Sequence, residues 1–260
     1  MTVCIAAIGT KDGKEYVVAA SDKMLTNSLI GGSFEHPTQK YKIINGKHIA
    51  MLAGNPLLFT TELVSESALP KSSLKKIAND IKSSMKAKRL SHIEEEILGP
   101  FSLEKGVIGK VLEGEVPNRF MDSILDSIAK YRLDTLITLA GLENGKGQVL
   151  LISETGVHDF TEIGFNTIGS GDVEATNTLL FQQQHRGTPL METIYNVYKA
   201  KKNAEVADGV GKLTDIIVIG ANEIKEIDEE KIKILNKVYE DELEFGKSHK
   251  LLNEVFNEGV

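Results

Sequence analysis

Cysteine is nearly absent from this chain. Cys4 stands alone, so no internal disulfide and no cysteine-based metal cluster can form. That economy fits a reducing compartment, and the expected location is the cytoplasm. No apolar run approaches the roughly 20 residues that span a bilayer. The apolar opening MTVCIAAIG lacks a basic leader and breaks at Gly9 and Lys11, too soon for a signal peptide. An excess of positive charge is missing too. Lys and Arg number 30 against 37 Asp and Glu, a net charge of −7 that argues against nucleic acid or an anionic membrane as partner. The six histidines, His36, His48, His92, His158, His185 and His249, show no ligand spacing, and no glycine-rich turn ends in Lys-Ser or Lys-Thr. Neither a metal nor a cofactor is expected.

What remains is ordinary globular material. With 41% hydrophobic residues, 260 positions suffice for one large core or two small ones. Residues 2–9 and 15–22 are apolar, β-rich runs joined by Asp12-Gly13, a hairpin signal. Short strands are predicted at 29–34, 40–45 and 47–54, and a helix at 57–68. Leu74, Ile77, Ala78, Ile81 and Met85 recur at helical spacing behind Ser72 and Ser73, which predicts a capped helix over 71–89. A helix over 117–131 precedes DTLITLAGL, GQVLLIS and VHDFTEI, a strand meander with turns at Asn144-Gly145 and Glu154–Gly156. FNTIGSGD reads as a strand ending in a turn. Helices near 171–184 and 188–205, the strand TDIIVIG and a helical tail from 226 complete the pattern. Strands and helices come in groups instead of alternating, which predicts an α+β fold of two antiparallel sheets covered by helices.

Thr2 follows the initiator methionine, and its position has two readings. It is a strand residue of a β-prone type. Alternatively, removal of Met1 gives it a free α-amine beside its own hydroxyl, a base and a nucleophile in one residue.

The runs VVAASDKMLT, QKYKIINGKHIAMLAG, LITLAGLENGKGQVLLIS, TIGSGD and TDIIVIG occur in one order. In that order the chain resembles the proteasome β-type subunits and their bacterial relatives, the HslV peptidase and the ancestral β-like proteins called Anbu. The Met-Thr-x-Cys opening looks most like Anbu. The resemblance covers roughly 2–66, 134–184 and 188–220. It implies a four-layer αββα sandwich, the N-terminal nucleophile hydrolase fold, over residues 1–222. An enlarged helical insertion is expected around 85–117 and a C-terminal helical extension over 223–260. It implies a threonine peptidase that cleaves peptide bonds of unfolded chains inside a homo-oligomer, with an AAA+ ATPase as a possible partner.

Carried over by motif, the resemblance makes Thr2 the nucleophile and Asp22 and Lys40 its charged neighbours. Lys40 is preferred to Lys42 because it precedes Gly54 by fourteen residues, as in the family. Gly54 takes the oxyanion position and Ser170 that of the serine beside the terminal amine. Thr26 and Leu52 would contact substrate. Each has a plainer reading: Asp22 as a turn residue, Lys40 as an edge charge, Gly54 and Gly169–Gly171 as turn glycines. Cys4 reads as a small buried hydrophobe. The chain departs from the pattern in NAEVADGVGKLTD, where Glu205 and Asp208 stand for an aspartate and a serine. A carboxylate there would raise the pKa of the reacting amine. Two other functions stay open: a non-catalytic assembly subunit, and a hydrolase of small amides on the same fold.

Overall fold

Asp12 and Gly13 both have positive φ (52° and 71°), the geometry of a two-residue turn whose twist matches the strands it joins. They fold β1 (Val3–Lys11) onto β2 (Lys14–Asp22) in a register that sets Cys4 against Ser21 and Lys11 against Lys14. The computed structural model describes residues 2–27, 32–36, 39–54, 72–101, 109–110, 119–221 and 223–246. The helix expected at 57–68 lies outside them.

Two five-stranded antiparallel sheets result. The first runs β10 (Phe165–Gly169), β1, β2, β11 (Thr214–Ile219), β12 (Ile224–Glu226). The second runs β5 (Tyr41–Ile44), β6 (His48–Ala53), β7 (Leu136–Glu143), β8 (Lys146–Ile152), β9 (Val157–Asp159). A separate hairpin pairs β3 (Met24–Asn27) with β4 (Gly32–Glu35).

The pleat explains why β1 and β6 are apolar at nearly every position. Cys4, Ala6 and Ile8 point between the sheets, where they meet Ile49, Met51 and Ala53. Val3, Ile5 and Ala7 point the other way, onto α3 (Asp172–Phe181) and α4 (Leu190–Ala204). Ala50 and Leu52 pack under α1 (Leu74–His92). Strands covered on both faces need apolar side chains on both. The order of layers is therefore helix, sheet, sheet, helix, as expected.

Helix α1 is set by its own sequence. Ser73 Oγ accepts the Lys76 N–H at 3.3 Å, and Leu74, Ile77, Ala78, Ile81 and Met85 form its buried stripe. A π turn (Ile93–Leu98) and a short 3₁₀ turn (Gly99–Phe101) follow within the region expected to be enlarged. Leu98 packs there against Met121 and Ile124 of α2 (Arg119–Lys130). At the C-terminal side, α5 (Glu229–Gly246) lays Ile232, Leu235 and Tyr239 against the α3–α4 layer. The Tyr239 hydroxyl donates to Asn203 Oδ1 at 2.8 Å, and Tyr198 to Asn236 Oδ1 at 2.9 Å.

Candidate active site

The antiparallel register of β1 and β2 carries Thr2 to the end of the sheet at which β2 finishes in Asp22. Asp22 is fully buried. A buried carboxylate needs donors, and Asp22 has five. Oδ1 accepts the Thr2 hydroxyl at 2.5 Å and the Val3 N–H at 2.9 Å. Oδ2 accepts the Met24 N–H at 2.9 Å and the Gly211 N–H at 3.0 Å. The Lys40 ammonium lies 2.9 Å from both oxygens. Burial pushes the Asp22 carboxyl upward. The Lys40 charge, with the Thr2 and Gly211 hydrogen bonds, outweighs that and holds it below the usual carboxylate range.

Lys40 stands just before β5, where its carbonyl accepts the Leu52 N–H at 3.1 Å and so ties it to β6. Its ammonium also donates to Thr2 Oγ1 at 2.6 Å. The threonine oxygen thus sits between a cation and an anion. Thr2 N donates to Ser170 Oγ at 3.1 Å. Thr2 carbonyl oxygen accepts from Ser170 Oγ and Gly171 N–H, both at 3.3 Å.

Two glycines make room for this. Gly169 has φ of 110°, and a Cβ there would lie 2.1 Å from the Thr2 carbonyl oxygen. Gly54 has φ of 122°, and a Cβ there would lie 2.3 Å from the Asp134 carbonyl oxygen. Only glycine tolerates both the angle and the approach. A cavity of about 250 Å³ opens beside Thr2, lined by Ala53, Gly54, Asp134, Leu136, Ser170 and Asp172 among others.

The structure thus brings Thr2, Asp22, Lys40 and Ser170 into one hydrogen-bonded group, with Gly54 on the adjoining cavity wall. It does not bring Glu205 to Thr2. The Glu205 carboxylate is taken by Lys201 at 2.6 Å and Lys202 at 2.8 Å, four and three residues back on α4. Asp208 reaches the site through its backbone: its carbonyl oxygen accepts from Ser170 Oγ at 3.4 Å, while the residue is exposed. Leu52 is corrected as well. It alternates away from the cavity into the core under α1, leaving Ala53 and Leu136 to line the cavity. Thr26 lies in β3 opposite Ser33, and its side chain is outside the described residues.

Cys4 is buried among core residues, and desolvation pushes its thiol up to about 12. It is inert as a nucleophile at neutral pH.

Two participants carried no sequence signal that marked them as site residues. Gly211 acts through its backbone N–H. Lys201, fully buried, donates to Glu205 and to the Lys212 carbonyl at 2.8 Å, anchoring the loop that presents Gly211 to Asp22. The spacing of Lys201 and Glu205, one helical turn, is visible in the sequence once α4 is drawn. Among the described residues, no three His, Cys, Asp or Glu side chains gather into a group that could hold a metal ion.

The two antiparallel sheets and their helical covers form a four-layer αββα sandwich of N-terminal nucleophile type, and the fold is that of the solved Anbu structures. The chain is similar to an Anbu mutant from Hyphomicrobium sp. strain MC1, at 12% identity and a TM-score of 0.62, over 95% of this chain and 97% of that one. It is also similar to Anbu, the ancestral β-subunit, from Yersinia bercovieri, at 13% identity and a TM-score of 0.58, over 93% and 95%. No protein-family model and no curated protein matches the chain. No helix among the described residues is long and apolar enough to cross a membrane.

Proposed function

We propose that the protein is a threonine peptidase in which Thr2, freed of Met1, is the nucleophile. The observation that carries this reading is the placement of Thr2 Oγ1, 2.5 Å from Asp22 Oδ1 and 2.6 Å from the Lys40 ammonium. The freed α-amine takes the hydroxyl proton, and the oxygen attacks the scissile carbonyl to give a tetrahedral oxyanion. The Gly54 backbone N–H stabilises that charge. The ammonium of Thr2 then protonates the departing amine, leaving an ester on Thr2. Water, deprotonated by the same amine, hydrolyses the ester. Lys40, held by Asp22, favours loss of a proton from the neighbouring amine and hydroxyl through its charge. Ser170 positions the amine.

The substrate is an extended peptide, and the setting is a cytoplasmic homo-oligomer that encloses its sites, with an AAA+ ATPase as the supplier of unfolded chains. Exposed apolar side chains on the outer helices support self-assembly: Val173, Leu180 and Phe181 of α3 and Met191 of α4, the last two exposed by 84% and 72%. One observation favours a second reading, a non-catalytic assembly subunit. Glu205, the counterpart of a supporting carboxylate, serves the α4 lysines instead of Thr2.

A panel of fluorogenic peptide amides, with small amides beside it, separates the readings. The processed wild type should turn over peptides, and Thr2→Ala should lose roughly a thousandfold or more of that rate while keeping its assembly state. Turnover of small amides alone would shift the substrate class. Equal rates in both proteins would remove Thr2 as nucleophile.

A further inference from the structure

Away from Thr2, a groove of about 620 Å³ opens between α4, α5 and the start of β11. It shares no lining residue with the cavity beside Thr2. Lys202 of α4 and Lys212 line it on one side, Lys233 and Lys237 of α5 on the other. Lys233 and Lys237 stand one helical turn apart, a spacing at which like charges weaken a helix. Lys212, Lys233 and Lys237 are exposed, and none makes a side-chain ion pair among the described residues. Lys202 is partly neutralised by Glu205. The groove's carboxylates are Glu240 and Asp241, so with Lys202 offset by Glu205 three further lysines face two carboxylates here, in a chain of net charge −7.

We propose that this groove binds an oligophosphate. Its volume falls within the roughly 300–1,000 Å³ of small-molecule sites. Its cations are all lysines, whose compact ammonium groups bind phosphate as point charges. Lysines on both sides call for negative charge repeated along the ligand. Tyr198 and Ile232 also line the groove. Such a ligand exists free, as inorganic oligophosphate, or as the phosphate tail of a nucleotide. Lys212 follows Gly211, whose N–H holds Asp22, so the occupant lies one residue along the chain from the site.

The test is calorimetric titration of the purified protein with tripolyphosphate, with a nucleoside triphosphate, and with orthophosphate. Tripolyphosphate should bind one site per chain, about tenfold or more tighter than orthophosphate. The double variant Lys233→Gln/Lys237→Gln should weaken it by about tenfold or more with thermal unfolding unchanged. Tighter binding of the nucleotide than of tripolyphosphate assigns the nucleotide source; equal or weaker binding assigns the free oligophosphate. No heat with tripolyphosphate, equal affinity for orthophosphate, or undiminished affinity in the double variant would overturn the proposal. Peptide turnover plays no part in the readout, so the result is independent of the Thr2 chemistry.

Discussion

Replacing Lys40 with methionine keeps the length of the side chain and removes the ammonium that lies 2.9 Å from both oxygens of Asp22. The carboxylate stays fully buried, with its backbone donors and the Thr2 hydroxyl still in place. Stranding one partner of a buried pair costs about 3–5 kcal/mol, a large share of the ~5–15 kcal/mol that holds a domain folded. For a chain of this size the melting temperature should fall by about 10 °C. The pH dependence follows from the sign of the Asp22 shift. In the wild type its pKa is depressed, so its stabilisation is fully present above the unfolded value near ~3.9 and is lost as pH falls through the folded value. In Lys40→Met the ammonium charge no longer opposes burial, and the Asp22 pKa rises above its wild-type value. The ionised form then destabilises at neutral pH, and the penalty fades on acidification. Circular-dichroism melts from neutral to mildly acidic pH should show the gap between the two proteins narrowing. The pair Lys40→Met/Asp22→Asn should recover much of the loss. A variant within about 1 kcal/mol of wild type at neutral pH would refute the reasoning, because the pair would then behave as a solvent-screened one.

Other substitutions probe the rest of the site. Cys4→Ser should leave peptide turnover intact, since the thiol does not ionise near neutral pH, and should cost about 1–3 kcal/mol for burying a hydroxyl; denaturant melts and a rate assay check both halves. Gly169→Ala places a methyl 2.1 Å from the Thr2 carbonyl oxygen at an unfavourable φ. It should displace Thr2 and abolish turnover, with a stability loss of about 1–3 kcal/mol visible by calorimetry. Lys201→Met should cost about 1–3 kcal/mol by removing the donor to the Lys212 carbonyl, with Glu205 keeping Lys202, and should slow turnover by loosening the Gly211 contact with Asp22. Equal rates in Lys201→Met and wild type would show that the anchor does not reach the site.

Much of the fold was legible because its strands are covered on both faces. Continuous apolar runs such as VCIAAI and HIAMLA, broken by Asp12-Gly13 and Asn144-Gly145, announce buried strands and tight turns directly. Both pairs adopt positive φ as those residue types suggest. Helix α1 was legible from one stripe and one cap. The grouping of Thr2, Asp22, Lys40 and Ser170 was visible only through the order of five motifs, since the residues lie up to 168 positions apart and no local rule links them. Leu52 was misplaced because its neighbour Ala53, one step along the pleat, faces the other side. Glu205 was assigned across space to Thr2, while lysines three and four residues away on its own helix take its charge at closer range. The Gly211 N–H was invisible because a backbone donor leaves no mark in side-chain chemistry.

The central claim rests on a free amine at Thr2, and intact-mass spectrometry of the purified native protein tests it most directly. The account predicts a mass lower than the encoded chain by one methionine residue, with Thr2 as the first residue on N-terminal fragmentation. A chain that retains Met1 throughout, with an amide where the mechanism needs an amine, would contradict it.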